Sequence, residues 1–199
     1  MISVQAALDA LFALVQKPNV ETVDLTKAMG RVLARPIKAS RDQPPFDAAA
    51  MDGYAIAQPA AKRGDSYQVI GEAAAGRRFE GDLTPDTAVR IFTGAPVPAG
   101  TSAIIIQENA IRIADRIELS EDPNVQSHIR PAGNDFKAGS CLDAPKRLNA
   151  ADIALLASMN MAQIPVYQRP TIALLSTGDE LVMPGEQPGQ DQILASNTY

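Results

Sequence analysis

Four short loops place carboxylates, hydroxyls and an arginine beside glycine or proline, where backbone can approach a ligand closely and rigid turns present side chains. In Ala50-Met-Asp-Gly-Tyr-Ala55, Asp52 can act as a base or a cation ligand and Gly53 permits a tight or left-handed turn; the plainer reading is an Asp-Gly turn. In Arg90-Ile-Phe-Thr-Gly-Ala-Pro-Val-Pro98, a strand exit offers the Thr93 hydroxyl and the Gly94 amide as donors to an anion. Ile129-Arg-Pro-Ala-Gly-Asn-Asp-Phe136 sets Asp135 near Arg130 and Gly133, either as a functional carboxylate or as a turn cap. Ser176-Thr-Gly-Asp-Glu-Leu181 follows an apolar run, the position beyond a strand's carboxyl end where open α/β sheets bind ligands. Hydroxyls and carboxylates there suit Mg²⁺, which takes oxygen ligands and commonly shares them with substrate phosphates. Glu108, after Ile104–Ile106, reads equally as a site residue or a solvated strand end.

Other chemistries lack their residues. No Gly-x-x-x-x-Gly-Lys-[Ser/Thr] or Gly-x-Ser-x-Gly occurs, and Gly71-Glu-Ala-Ala-Ala-Gly76 lacks dinucleotide-fingerprint spacing. One cysteine, Cys141, excludes an internal disulfide, and with one histidine, His128, it cannot build a Cys/His zinc cluster. A net charge of −5 over 199 residues argues against coating nucleic acid. With 46% apolar residues but no Trp and 5% aromatics, the core is expected to be aliphatic. No apolar run approaches a bilayer span, and no signal-like N-terminus is present, so a soluble, cytoplasmic protein is expected.

The elements that must hold these loops fall into three stretches. Ser3 caps a helix whose apolar residues Val4, Ala7, Leu8, Leu11, Phe12 and Val15 recur until Lys17-Pro18. Thr26 is expected to cap a second, shorter helix through Arg31-Val-Leu-Ala34, ended by Pro36, and Gln43-Pro-Pro-Phe46 to run extended. Short β-prone runs then dominate, among them Tyr67–Ile70, Ala88–Phe92 and Ala103–Ile106, with a hairpin over Ile111–Leu119 turning at Ala114-Asp-Arg116 and leaving one wet face. Asn149, with Asp152 three residues on, caps another helix, and Ile164-Pro-Val-Tyr167 alternates as a strand. The expected fold class is α+β and multidomain. A discontinuous helical and extended first domain (residues 1–45 plus 140–169) carries an inserted β-rich domain (46–139). Pro170–Leu175 reads as a buried strand opening an α/β, parallel-sheet domain that 170–199 leaves unfinished, with an open edge prone to swapping.

In order, Pro45-Phe-Asp47 with Met51-Asp-Gly-Tyr-Ala55, Gly71-Glu-Ala-Ala-Ala-Gly76, Arg90-Ile-Phe-Thr-Gly-Ala-Pro96, Gln107-Glu108, Gly133-Asn-Asp135 and Leu175-Ser-Thr-Gly-Asp-Glu-Leu181 resemble the MoeA family of molybdopterin molybdenumtransferases, which includes the E domain of gephyrin. The resemblance spans essentially the whole chain. It implies the last step of molybdenum cofactor synthesis, in which adenylylated molybdopterin is bound, its phosphoanhydride is cleaved to release AMP, and molybdate is inserted at the dithiolene with the help of Mg²⁺. It also implies an elongated homodimer whose active cleft lies between the β domain of one subunit and the α/β domain of the other, with molybdopterin adenylyltransferase as the upstream partner.

By motif, Asp52, Thr93, Asp135 and Glu180 match positions lining that cleft, and Ser176, Thr177 and Asp179 match the start of the pterin-nucleotide loop. Carboxylates repel molybdate and phosphate, so Asp52, Asp135 and Glu180 are assigned to Mg²⁺ or to the attacking water, and Thr93 with the Gly94 amide to the anion. Much of the positive charge facing molybdate comes, in that family, from beyond residue 199. Two departures bear on the transfer. Ala48-Ala49 stands where many members have Asn-Ser, which removes two polar groups beside Asp52 and loosens the turn. The family also continues for about as many residues again, so this piece is expected to fold through about Gln168 without completing the reaction. The alternative is a non-catalytic dimerisation or scaffold module for cofactor-synthesis partners.

Overall fold

A computed structural model describes residues 2–15, 18–123 and 128–198. The chain is mostly β with two α-helices. Its elements run α1 (Val4–Ala13), β1 (Val20–Asp24), β2 (Val32–Leu33), β3 (Ile37–Lys38), β4 (Ala48–Ala49), β5 (Gly53–Ile56), β6 (Ser66–Ala73), β7 (Thr87–Ile91) and β8 (Ala103–Ile106). They continue with β9 (Ala110–Ile113), β10 (Arg116–Leu119), β11 (Ile129–Arg130), β12 (Cys141–Leu142), β13 (Lys146–Arg147), α2 (Ala150–Ser158), β14 (Gln163–Tyr167), β15 (Leu181–Val182) and β16 (Ile193–Leu194).

One sheet joins residues 20–33 to residues 146–167, enclosing the segment between them. Its order is β1-β14-β2-β13, all antiparallel, with Val20 opposite Tyr167 and Lys146 opposite Leu33. Leu33, Leu156, Ile164 and Val166 are fully buried in the aliphatic core between this sheet and α2. At the start of α2, the Asn149 side chain accepts from the Asp152 amide while the Asp152 carboxylate accepts from the Asn149 amide, a reciprocal cap. The Lys146 ammonium lies 2.7 Å from the other Asp152 oxygen, and these bonds hold the Asp152 carboxyl below its usual value.

The second sheet, in order β8-β5-β7-β6-β10-β9, positions the candidate site. Its β6–β7 pair is parallel and the rest are antiparallel. The expected hairpin forms as β9 and β10. On β10, Ile117 and Leu119 are buried as the alternation predicts, but Ile111 and Ile113 of β9 lie opposite Glu118 and Arg116 and are exposed, so the apolar residues of β9 fall on the wet face expected for the polar ones. Along β5, Tyr54 and Ile56 enter one cluster with Tyr67, Ile105 and Ile117, and Ala55 enters another with Val89, Ile91 and Ile104. The centre of the sheet is therefore covered on both faces, which is why β5 and β7 consist largely of apolar residues.

Several local expectations are corrected. Residues 25–27 make one 3-10 turn and no helix follows through Ala34: Gly30 adopts φ +72, and Leu33 gains backbone partners and full burial by joining the sheet as β2. Gln43–Phe46 bends instead of extending. Gln43 exchanges backbone bonds with Phe136 and Asp135, and the Pro44 carbonyl accepts from the Gly133 amide at 2.8 Å. Pro170–Leu175 is neither a strand nor buried; Leu175 is 89% exposed, and no strand among the described residues pairs with it. Without a neighbouring ladder or covering helix an apolar run gains nothing from extension. The first helix forms with Ser3 Oγ accepting from the Ala6 amide, but its described turns end at Ala13, and the expected stop at Lys17 lies outside the described residues. None of its residues is buried.

Gly53 is required by close approach and not, as expected, by a left-handed turn. A Cβ there would lie 1.9 Å from the Ile105 carbonyl oxygen of the adjacent strand. Gly53→Ala should cost about 1–3 kcal/mol in urea unfolding, because strand backbone must move to admit the methyl group. Asp152→Ala should cost about 1–3 kcal/mol through the lost cap and ion pair. Because the native carboxyl titrates below 3.8, that difference is fully present above this value and shrinks as pH falls through the lowered one; unfolding at pH 7 and below pH 4 measures both.

Candidate active site

The three strand ends nearest the motifs converge. Asp52 immediately precedes β5, Thr93 lies two residues beyond β7, and Gln107 follows β8, so antiparallel pairing with the central β5 places all three at one edge of the sheet. Asp52 is half-buried, and one of its carboxylate oxygens, Oδ1, accepts both the Thr93 amide and the Thr93 hydroxyl at 2.7 Å. The Gln107 amide donates to the Asp52 carbonyl at 3.0 Å. The two Thr93 bonds, amide first, hold the Asp52 carboxyl below its ordinary value against the opposing effect of desolvation, and the charge of Arg90 adds the smallest contribution. Asp52 is therefore an ionised acceptor at neutral pH, with Oδ2 left without a partner among the described residues.

This arrangement corrects the anion contact expected of Thr93 and Gly94. Both Thr93 donors are committed to Asp52, and the Gly94 amide donates to the Ala49 carbonyl at 2.8 Å. Thr93 acts on Asp52, and Gly94, at φ +79, turns the chain back toward β4. Nor do Ala48 and Ala49 loosen the turn. Both are buried, β4 pairs with β11, and the Ala49 amide donates to Ala95, so backbone bonds fix this segment whatever the side chains at 48 and 49.

Beside the Asp52–Thr93 pair opens a cleft of about 400 Å³, lined by the bend Gln43–Phe46, by Ala48–Ala50, by Thr93 and Gly94, and by Arg130 and Asp135. Arg130 and Asp135 form an ion pair on its rim. Its walls are stapled by carboxylates that bond backbone: Asp47 accepts from the Ala132 amide at 2.8 Å and Asp42 from the Ala138 amide at 2.7 Å. The cleft thus unites Thr93, Gly94 and Asp135, with Asp52 bonded behind Thr93. The loop of the fourth motif is elsewhere. Ser176 and Thr177 line a separate hollow of about 280 Å³ with residues of β15, β16 and 195–197, and the Ser176 hydroxyl lies 2.8 Å from that of Thr198. Asp179 and Glu180 are exposed on the same loop, and Glu108 is exposed beside Gln107.

Among the described residues no three Asp, Glu, His or Cys side chains converge as a cation site, so Asp52, Asp135 and Glu180 do not form a cage within one chain. Asp52 is committed to Thr93, and Asp135 to Arg130. One chain by itself therefore builds no closed cage for Mg²⁺, and what it offers is a cation for an anion and a fixed carboxylate for water.

Sequence reasoning did not assign Arg130 as the cleft's cation, Asp42 and Asp47 as loop staples, or Arg90. The signal for Arg90 was available: Arg90 and Phe92 are two apart at the end of the β-prone run Ala88–Phe92 and so share a face. The staples had none, since each bonds backbone at least 85 residues away.

The described residues hold no helix long and apolar enough to cross a membrane. Residues 2–160 match the model of the MoeA N-terminal region, domains I and II. A molybdopterin molybdenumtransferase from Nostoc sp. is 38% identical over 211 residues, covering 100% of this chain and 48% of its own length. One from Haemophilus influenzae is 36% identical over 181 residues, covering 90% and 45%. A solved structure of a molybdopterin biosynthesis MoeA protein from Pyrococcus horikoshii superposes with a TM-score of 0.84 at 31% identity, over 97% of this chain and 53% of that one. The chain spans about half the length of the curated relatives it matches. With the matched region, the relatives and the superposed fold in agreement, the chain belongs to the MoeA family.

Proposed function

We propose that this chain supplies one wall of the active cleft of a cytoplasmic molybdopterin molybdenumtransferase. The substrates are molybdate and adenylylated molybdopterin, and the products are the molybdenum-loaded cofactor and AMP. The observation that carries this reading is the cleft itself, where the Arg130 guanidinium faces the space that Thr93 lines, and the Asp52 carboxylate is locked by two bonds directly behind Thr93. The Arg130 guanidinium provides a planar donor fork for an oxyanion, molybdate or phosphate, at the cost of loosening its pair with Asp135. Asp52, held by Thr93, accepts a hydrogen bond through Oδ2 from a water directed at the phosphoanhydride. Cleavage puts the water oxygen on phosphorus, and the proton leaves toward Asp52 or bulk solvent.

The cleft is open, and the Ser176–Glu180 loop lies apart from it, so the pterin-nucleotide wall is proposed to come from a second subunit of a homodimer. Residues 1–199 alone are then too little for turnover, and Mg²⁺, absent from any cage here, belongs to the assembled site. The upstream enzyme, an adenylyltransferase, would deliver its product to this dimer. One observation favours a second reading, a non-catalytic assembly module: the apolar stripe of α1 is uncovered, with Leu11 59% and Phe12 68% exposed, and Val15 just beyond the helix 73% exposed.

AMP release from adenylylated molybdopterin with molybdate and Mg²⁺ tests this, comparing the 199-residue chain with a version extended through its coding sequence. Activity in the extended form alone is expected; folded, dimeric and inactive protein in both forms would favour the assembly module. In the active form, Asp52→Asn should lower turnover by about 10²-fold, since an amide orients water poorly and accepts no proton. Arg130→Gln should instead raise the molybdate concentration needed for half-maximal rate about tenfold or more, the worth of one charged hydrogen bond.

A further inference from the structure

Arg90 has an environment that the cleft chemistry does not use. It projects from β7 directly opposite Tyr54 of β5. Its guanidinium carbon lies 5.0 Å from the centre of the Tyr54 ring and 4.7 Å from that of Phe92, within reach of both faces. The group donates to the Gly53 carbonyl at 3.3 Å and to the Gln107 side-chain oxygen at 2.7 Å. Its cross-strand neighbour on β6, Glu72, bonds Arg77 at 2.9 Å, so no carboxylate pairs with Arg90 among the described residues. A half-buried arginine without a carboxylate, held by two rings and two neutral oxygens, does not balance a neighbouring charge. It links the backbone just after Asp52, the strand that leads to Thr93, and the residue whose amide bonds the Asp52 carbonyl.

We propose that Arg90 is the positioning residue of the cleft, tying the ends of β5, β7 and β8 so that Asp52 and Thr93 keep their two-bond geometry. Its bearing on catalysis rests on the reading of the cleft given above, whereas its mechanical part does not. The Thr93 amide reports that part directly, because its only described acceptor is Asp52. The charge of Arg90 is only the smallest contributor to the lowered Asp52 carboxyl, after the two Thr93 bonds, so its part there is geometric first.

The test is amide hydrogen exchange by NMR on the ligand-free 199-residue chain, with Arg90→Met and Arg90→Lys variants. Methionine keeps the bulk between the rings but has no donor, and lysine keeps the charge but cannot reach both oxygens. In Arg90→Met the Thr93 amide should exchange about tenfold faster, with Arg90→Lys intermediate and the amides of Leu156 on α2 and Ile164 on β14 unchanged. Millimolar guanidinium, but not the same concentration of potassium chloride, should restore Thr93 protection in Arg90→Met, a rescue that general loosening would not show. Unchanged Thr93 exchange, equal acceleration at Leu156, or absence of rescue would overturn the proposal. In the extended enzyme, Arg90→Met should lower kcat about tenfold while KM for molybdate stays within about twofold. An inactive extended wild type would overturn the cleft reading and leave the exchange data to decide the role of Arg90.

Discussion

The candidate site depends on one close approach: the Ile105 carbonyl occupies the space a side chain at position 53 would need. It lets β5 lie between β7 and β8 right up to its first residue. Because pairing is maintained to Gly53, the residue before it is delivered to the strand ends that carry Thr93 and Gln107. A bulge or larger residue there would splay the ends, and Asp52 would lose both Thr93 donors together. The bonds that shape the carboxylate are individually ordinary, and their common origin is a ladder that tolerates no Cβ at its end.

The cleft beside this edge is built almost wholly by backbone. Gly94 bonds Ala49, Ala49 bonds Ala95, Gln43 bonds Phe136, and Asp42 and Asp47 pin amides of the facing loop. Prolines and glycines dominate these segments because their work is to set direction, and the few charged side chains that face the space, Arg130 and Asp135, are paired with each other at its rim. This division explains why alanines at 48 and 49 are compatible with a fixed turn.

Much of this was legible in the sequence where local physics decides. The capped helix α2, the β9–β10 hairpin and the β-prone runs that form β6, β7 and β8 follow from period, composition and capping residues alone, whereas β5, the strand between β7 and β8, reads locally as a turn. The short helix expected after Thr26 failed because Leu33 finds its partners more than a hundred residues away, and such pairing leaves no local trace. Pro170–Leu175 failed for the opposite reason: its composition suits a buried strand, but burial is a property of neighbours. At the site, motif order located Asp52, Thr93, Gly94 and Asp135 around one place, yet not where their hydrogen bonds go. Donors in a glycine-rich loop look free in sequence, and only the fold shows that Thr93 and Gly94 spend theirs internally.

The pairing of β1 with β14 also constrains how the chain reaches this fold. Val20 must find Tyr167, and no residue nearer in sequence can substitute for that partner in the ladder. Closing so long a loop from an unfolded chain is entropically slow, but the intervening sheet, once condensed, shortens the effective distance between its own ends. On the ribosome, at roughly 5–20 residues per second, β1 waits roughly 7–30 s for its partner to be synthesised. The β5–β10 sheet can form in that interval and then act as the template that brings the first and last strands of the other sheet together.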